Sequence, residues 1–157
     1  MDGFFKRTGG WFAAALITVV LGVFFQTQNV LARLNEIGAD VGLANRLKMT
    51  GYDVLYLGKP YFIFVGISLA ISFWVAGFVF RFVKFGRPII YSVAGAVAIF
   101  VMLYAMKEVF FKIPAIAGAR DGLGIGLQML AGAIGGFVFS KINRPELKSE
   151  TKSEPLS

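Results

Sequence analysis

A cluster of four charged residues is the first feature of this sequence that could carry chemistry. The residues flank a short apolar stretch in the last third of the chain: Lys107, Glu108, Arg120 and Asp121. If a helix ends before this stretch and another begins after it, Lys107 can pair with Asp121. Glu108 can pair with Arg120 in the same way, which would hold the two helix ends together. Alternatively, Arg120 and the free N–H groups of a helix N-terminus could bind an anion or a lipid phosphate.

Gln128 is the second such feature, because its amide lies inside the last apolar run of the chain. At 1.5 Å per residue, it falls about 10 Å from the start of that run. An amide at this depth needs hydrogen-bond partners, and the candidates on other apolar runs are Ser68, Ser72 and Tyr104. A substrate could use the same amide, so a packing role and a binding role are both open.

The residue types that the sequence lacks exclude most catalytic chemistry. The chain contains no histidine and no cysteine, which removes thiolate nucleophiles, histidine acid–base catalysis and metal sites built on these ligands. The interiors of its four apolar runs contain no Asp, Glu, Lys or Arg, the groups on which intramembrane proton relays and ion coupling depend. The glycines Gly122-x-Gly-x-Gly126 are not a dinucleotide fingerprint, because no strand precedes them. We therefore expect no catalytic residue, no metal, no cofactor and no enzymatic activity.

The composition indicates the medium in which these residues lie. Of 157 residues, 57% are hydrophobic and 16% are charged, with a mean hydropathy of +0.70, whereas soluble domains carry about 25% charge. Four apolar stretches are long enough to cross a bilayer, at about residues 9–28, 60–80, 88–106 and 120–142. The sequence predicts an all-α integral membrane protein, with four transmembrane helices in one antiparallel bundle over residues 1–142.

The polar stretches predict a surface segment and a tail. Residues 27–59 form the longest polar region, in which Val30, Leu31 and Leu34 recur at helical spacing before Gly38 ends the helix. We expect a short amphipathic helical segment between spans 1 and 2, lying on the bilayer surface. Residues 143–157 alternate lysine and glutamate with serine and proline, which predicts a disordered polar cytoplasmic tail.

The fourth span is unusually rich in glycine, and its residues separate onto two sides when projected at 100° per residue. One side is bulky and suits lipid: Leu123, Leu127, Leu130, Ile134, Phe137 and Val138. The other side is smooth: Gly118, Gly122, Gly124, Gly126, Gln128, Gly132, Gly135 and Gly136. From this side we expect a helix-packing surface made of Gly122, Gly126, Gln128, Gly132 and Gly136. Packing within the bundle is the favoured use of this surface, with a second copy or an unlike membrane protein as alternatives.

The distribution of basic residues predicts an orientation. The connection between spans 2 and 3 is short and carries Arg81, Lys84 and Arg87 without a carboxylate, whereas the loops on the opposite side are longer and nearly neutral. By the positive-inside rule, both termini are expected in the cytoplasm, in a bacterial inner (plasma) membrane. These flanking residues explain the net charge of +7. We therefore expect these basic residues to face the lipid bilayer, and we expect no nucleic-acid partner.

Two classes of function fit these features. The first is a small non-enzymatic membrane protein, an accessory or interaction subunit of a membrane assembly that packs through its glycine-rich fourth helix. Its partner would be a second copy or an unlike membrane protein. The second class is a transport component, either the small subunit of a transporter or an oligomeric pore or carrier. An enzyme acting on lipids ranks last, since the sequence offers no catalytic group.

Overall fold

The structure is a computed structural model that describes residues 2–36, 38, 42–56, 58–83, 86–109 and 122–143. These residues form five helices. The helices are α1 (Asp2–Glu36), α2 (Leu43–Tyr56), α3 (Gly58–Phe82), α4 (Arg87–Val109) and α5 (Gly122–Ile142). All except α2 are long and apolar enough to cross a membrane. The prediction of an all-helical protein with four long apolar helices is confirmed, as is the shorter helix between the first two of them.

α1 is longer than the span predicted for it. Its 35 residues measure about 52 Å at 1.5 Å per residue, against roughly 30 Å for a bilayer's hydrocarbon core. Residues 29–36, predicted as part of a separate surface segment, continue α1, because polar side chains lower hydropathy without interrupting helical hydrogen bonds. Gly38 follows the helix end with a φ of 83°, a conformation that glycine adopts without strain.

α2 is attached to the far end of α1. The two helices contact each other, and α2 also contacts α3. The hydroxyl of Thr27, buried on α1, donates a hydrogen bond of 2.9 Å to the Asp53 carboxylate on α2. On its outer side α2 exposes Tyr52 and Tyr56, whose rings stack with centroids 6.1 Å apart. α2 therefore lies against α1 through a polar contact and presents aromatic side chains outward.

Proline marks the start of two long helices. Pro60 lies in the first turn of α3 and Pro88 in the first turn of α4, where a missing N–H costs no intrahelical hydrogen bond. The Gly86 carbonyl accepts the Ile89 N–H at 2.9 Å, which closes the first turn of α4. Local sequence signals therefore set both boundaries.

Asn143, predicted as the first residue of the tail, contacts the end of α5. Asn143 is buried, its backbone N–H donates to the Phe139 carbonyl at 3.0 Å, and its side-chain amide donates to the same carbonyl at 3.1 Å. Asn143 therefore closes the last turn of α5 through its backbone and its side chain. The remaining tail residues, 144–157, lie outside the described part of the chain.

The core of the protein lies where α5 packs between α1 and α4. α3 contacts both of these helices as well. The centre is filled by apolar side chains with almost no exposure, among them Ala14, Val65, Leu69 and Ile99. Small residues on α1 and α5 allow close approach, while branched residues on α3 and α4 fill the space between the helices.

A group of aromatic rings closes the core near one end. Phe73 and Phe139 stack with centroids 4.3 Å apart, and Tyr91 lies 5.8 Å and 5.2 Å from them, respectively. α1 and α4 begin at this end, and α3 and α5 finish there. We call it the basic end, because its described side chains include Lys6, Arg7, Arg81, Arg87 and Lys141.

The outward surface of the four long helices is as apolar as the core. Trp74 is 79% exposed, and each helix contributes further large exposed apolar residues: Phe12, Leu16, Val20 and Phe24 on α1; Ile67 and Ile71 on α3; Val93 and Phe100 on α4; Leu123, Leu130 and Phe137 on α5. A soluble monomer rarely exposes contiguous apolar surface on every side. This surface is consistent with a membrane protein.

Candidate functional site

The smooth face of α5 meets α4 at backbone contact. A Cβ atom built on Gly132 would meet the Gly95 carbonyl oxygen, and would lie 2.5 Å from Cγ1 of Ile99. A Cβ on Gly136 would meet the carbonyl oxygen of Tyr91. Because a helical carbonyl cannot rotate out of the way, any side chain at these two glycines would force α4 and α5 apart. The structure thus places Gly132 and Gly136, both predicted packing residues, at the closest contacts between the two helices.

A third glycine forms the equivalent contact with α1. A Cβ on Gly135 would meet the hydroxyl oxygen of Thr18 and would lie 3.0 Å from the Ala14 carbonyl oxygen. The Thr18 hydroxyl is fully buried, donates to the Ala14 carbonyl at 2.8 Å, and lies 3.5 Å from the Ala131 carbonyl of α5. The sequence projection placed Gly135 on the smooth side but outside the predicted packing surface. Its neighbour Gly136 packs on α4, so adjacent glycines serve two different helices.

Gly122 and Gly126, also predicted as packing residues, make no contact within the described bundle, so their use in packing against another protein stays a prediction. Both are exposed, and no described atom lies within 4 Å of a Cβ built on either one. Gly126 is turned away from α4, because six residues separate it from Gly132 and at 100° per residue this places the two glycines about 120° apart. Gly122 is the first residue of α5 and lies 14 residues, or about 21 Å, along the helix from Gly136. Of these four glycines, Gly132 and Gly136 are the ones that contact α4.

Gln128 is the centre of a buried hydrogen-bond network that joins three helices. Its side chain is 1% exposed. The Tyr61 hydroxyl on α3 donates to Gln128 Oε1 at 2.9 Å, and Gln128 Nε2 donates to the Gly22 carbonyl on α1 at 2.8 Å. A Cβ on Gly22 would lie 2.7 Å from Gln128 Oε1, so this glycine makes room for the amide. The network ties α5 to α1 and α3 at one level of the bundle.

The partners predicted for Gln128 are wrong. Ser72 donates instead to the Ala94 carbonyl at 2.6 Å, and Tyr104 is 60% exposed. Ser68 lines a groove between α3 and α4. Tyr61 could not be identified as a partner from the sequence, because a tyrosine at the start of a span is ordinarily placed at headgroup level. Gly22 could not be predicted either, because it contributes only its backbone carbonyl, a group that every residue has.

The predicted charge cluster is only partly described. Lys107 and Glu108 lie exposed in the last turn of α4. Arg120 and Asp121 lie outside the described residues, so the pairing of the four charges stays a prediction. Among the residues that the structure describes, no three His, Cys, Asp or Glu side chains come together as a metal site would require.

The basic connection between α3 and α4 places one arginine against aromatic rings. The guanidinium carbon of Arg87 lies 5.8 Å from the centroid of Phe80 and 5.5 Å from that of Tyr91, within the range of cation–π attraction. Arg81 is exposed, and Lys84 lies outside the described residues. Arg87 is therefore fixed at the edge of the core.

A groove runs along α3 and α4 on the surface of the bundle. Its volume is about 480 Å³, and its lining is uncharged and almost entirely apolar, with Ser68 and Ser72 as the polar exceptions. Ser68, Ala98 and Ala105 contribute small side chains to this lining. The groove follows α3 from Phe64 to Val75, a length of about 16 Å at 1.5 Å per residue.

Comparison with models of protein families, with curated proteins and with solved structures yields no similar protein. The geometry of the chain itself is therefore the basis for a functional proposal.

Proposed function

We propose that this chain is a small non-enzymatic integral membrane protein that acts as an accessory or interaction subunit of a larger membrane assembly. Its four long helices cross the bilayer as an antiparallel bundle held together by the glycine-rich α5. The observation that carries the proposal is that the buried polar side chains form hydrogen bonds with other groups of the bundle. Gln128, Tyr61 and Thr18 are each engaged in hydrogen bonds within or between helices, which supports a packing role for the bundle interior.

The charges support one orientation of the bundle. The described side chains at the basic end include five cations and no carboxylate. At the opposite end the described cations are partly balanced by carboxylates: Arg33, Lys48, Lys59 and Lys107 lie there with Glu36, Asp53 and Glu108. By the positive-inside rule the basic end faces the cytoplasm, which places both termini there. A bacterial inner membrane, with α2 on its outer side, fits this arrangement.

The orientation can be measured with single cysteines, because the chain contains none of its own. Lys59→Cys in α3 and Arg81→Cys at the end of the same helix both replace exposed residues. In intact cells, a membrane-impermeant maleimide should label position 59 and leave position 81 unlabelled until the membrane is opened. Labelling of position 81 and not position 59 in intact cells would reverse the proposed orientation.

The groove between α3 and α4 is the surface that best fits a partner. Its uncharged lining lies within the long apolar helices, so its occupant must itself be apolar along about 16 Å. The small side chains of Ser68, Ala98 and Ala105 would allow close approach of another helix, as small residues do where membrane helices associate. The proposed occupant is one transmembrane helix of an unlike protein.

Purification of the chain from its native membrane in a mild detergent tests the accessory role. We expect one unlike membrane protein to accompany the chain in a fixed ratio through successive separations, measured as the mass of the intact complex. Isolation of only the chain or its homo-oligomer would contradict the role. Solute flux through liposomes that contain the chain alone would instead identify a transport component.

A further inference from the structure

A second opening in the surface lies between α1 and α3 near the basic end. Its volume is about 360 Å³, and its inner wall is formed by Trp11, Phe73 and Phe139. The Trp11 indole N–H donates to the Gly66 carbonyl at 3.1 Å, and the two phenylalanine rings stack in the core. Because these contacts hold all three rings, the wall of the cleft is aromatic and preformed.

One cation is part of this otherwise largely aromatic cleft. Arg7 contributes to its lining and is exposed, and it precedes Trp11 by four residues, or about 6 Å along the helix. The described side chains at the basic end include no carboxylate that could pair with it. Phe4 and Trp74, exposed to 73% and 79%, form the rim. The cleft thus combines a positive group with an apolar surface a single helical turn away.

We infer that this cleft is a binding site for an anionic phospholipid. The guanidinium of Arg7 binds the phosphate through paired N–H donors, and the upper part of an acyl chain lies against Trp11, Phe73 and Phe139. Tryptophan and arginine at this spacing match the boundary between headgroups and acyl chains. The inference rests on the proposed insertion of the helices into a bilayer, and adds a lipid class and a location.

The apolar wall favours a phospholipid over a soluble anion. Inorganic phosphate could contact Arg7, but it would not cover the aromatic side chains that line the cleft. A phospholipid satisfies the charge and covers the aromatic surface together, so both parts of the cleft contribute to its binding. A zwitterionic lipid offers the same acyl chain, but its own positive group offsets the attraction to Arg7.

Tryptophan fluorescence tests the inference, because the only two tryptophans of the chain both line the cleft. Trp74→Phe leaves Trp11 as the reporter of the inner wall. Trp11→Phe removes part of that wall and leaves Trp74, which is 79% exposed at the rim, as a reporter of lipid at the outer surface. The proteins are reconstituted with acyl-brominated phosphatidylglycerol or phosphatidylcholine, whose bromines quench nearby indoles. We expect Trp11 to be half-quenched at a roughly fivefold lower mole fraction of the anionic lipid, the preference that one basic residue gives at about 1 kcal/mol. In the Trp11→Phe protein, whose inner wall lacks the indole, Trp74 should be quenched by both lipids because its ring is exposed.

Three variants in the Trp74→Phe background identify the charge responsible. Arg7→Gln should abolish the preference of Trp11 for the anionic lipid, and Arg7→Lys should retain part of it. Arg81→Gln is the matched control, since it removes an exposed cation at the same end that does not line the cleft, and it should leave the preference unchanged. Arg7 is exposed, so these changes are not expected to disturb the core.

The outcomes separate this inference from the membrane proposal. Equal quenching of Trp11 by both lipids, or a preference that survives Arg7→Gln, overturns the site. Relief of the quenching by added inorganic phosphate also overturns it, because the site would then bind phosphate without the lipid chain. If Trp74 escapes both brominated lipids, the proposed membrane insertion itself fails. If Trp74 is quenched and Trp11 shows no preference, only the lipid site fails.

Discussion

Replacement of Gly136 by alanine should lower the free energy of unfolding by about 1–3 kcal/mol, the usual cost of overpacking a filled core. The added methyl group meets the carbonyl oxygen of Tyr91, which belongs to the backbone of α4 and cannot move independently. The two helices must separate, and the contacts around Ile99 weaken with them. Leucine at the same position should cost more, because the whole side chain must enter a gap that has no room for one carbon.

Gly126→Ala is the matched control for this change. The same chemical substitution on the same helix meets no described atom within 4 Å, and alanine is favoured over glycine in a helix by about 1 kcal/mol. Gly126→Ala should therefore be neutral or slightly stabilising. Reversible unfolding in mixed micelles, followed by the fluorescence of Trp11 and Trp74, measures both variants. Equal stability of the alanine variants at 126 and 136 would show that α4 and α5 do not meet as described.

Replacement of Gln128 by leucine should have the second large effect, a loss of about 1–3 kcal/mol. The substitution is close in size, so the loss comes from hydrogen bonding and not from a cavity. It removes the acceptor of the Tyr61 hydroxyl and the donor to the Gly22 carbonyl, leaving buried polar groups without partners. Tyr61→Phe should cost less, about 0.5–2 kcal/mol, because it removes the hydroxyl itself and Gln128 keeps its bond to Gly22.

A double-mutant cycle distinguishes this network from two independent side chains. In the protein with both Gln128→Leu and Tyr61→Phe, no hydroxyl is left unpaired, so the combined loss should be smaller than the sum of the single losses. The same unfolding measurement gives all four free energies. Additive losses would mean that Tyr61 and Gln128 do not interact.

Hydropathy and helical spacing were enough to predict the elements of this fold. Four apolar runs correspond to α1, α3, α4 and α5, because the length and composition of a helix are local properties of the sequence. The continuation of α1 from residue 29 to Glu36 was not predicted, since residues such as Asn29 and Arg33 lower hydropathy while remaining compatible with a helix. The thickness of the bilayer therefore underestimates the length of a helix that extends beyond it to contact another helix, as α1 does with α2.

The contacts between helices were harder to predict than the helices. Glycine content correctly drew attention to α5, yet which glycines meet a neighbour depends on the rotation of that helix by about 100° per residue. Gly132 and Gly136 face α4, whereas Gly126 does not. The partners of Gln128 depend in addition on the axial offset of α1 and α3, which brings a backbone carbonyl and a tyrosine to its level. No property of Gly22 or Tyr61 taken alone contains that information.

The accessory role is tested most directly by blocking the proposed partner groove and measuring the composition of the purified assembly. Ser68→Phe places an aromatic ring in the groove between α3 and α4, which Ser68 lines. Val93→Phe adds a similar ring at an exposed position of α4 outside the groove and serves as the control. The masses of the complexes purified from native membranes give the ratio of chain to partner for each protein.

We expect the unmodified chain and Val93→Phe to retain one unlike membrane protein in the same fixed ratio, and Ser68→Phe to lose it while its own unfolding is unchanged. Two results would contradict an accessory subunit that binds through this groove. One is isolation of the unmodified chain alone or only with copies of itself. The other is a Ser68→Phe complex that keeps its partner in the original ratio.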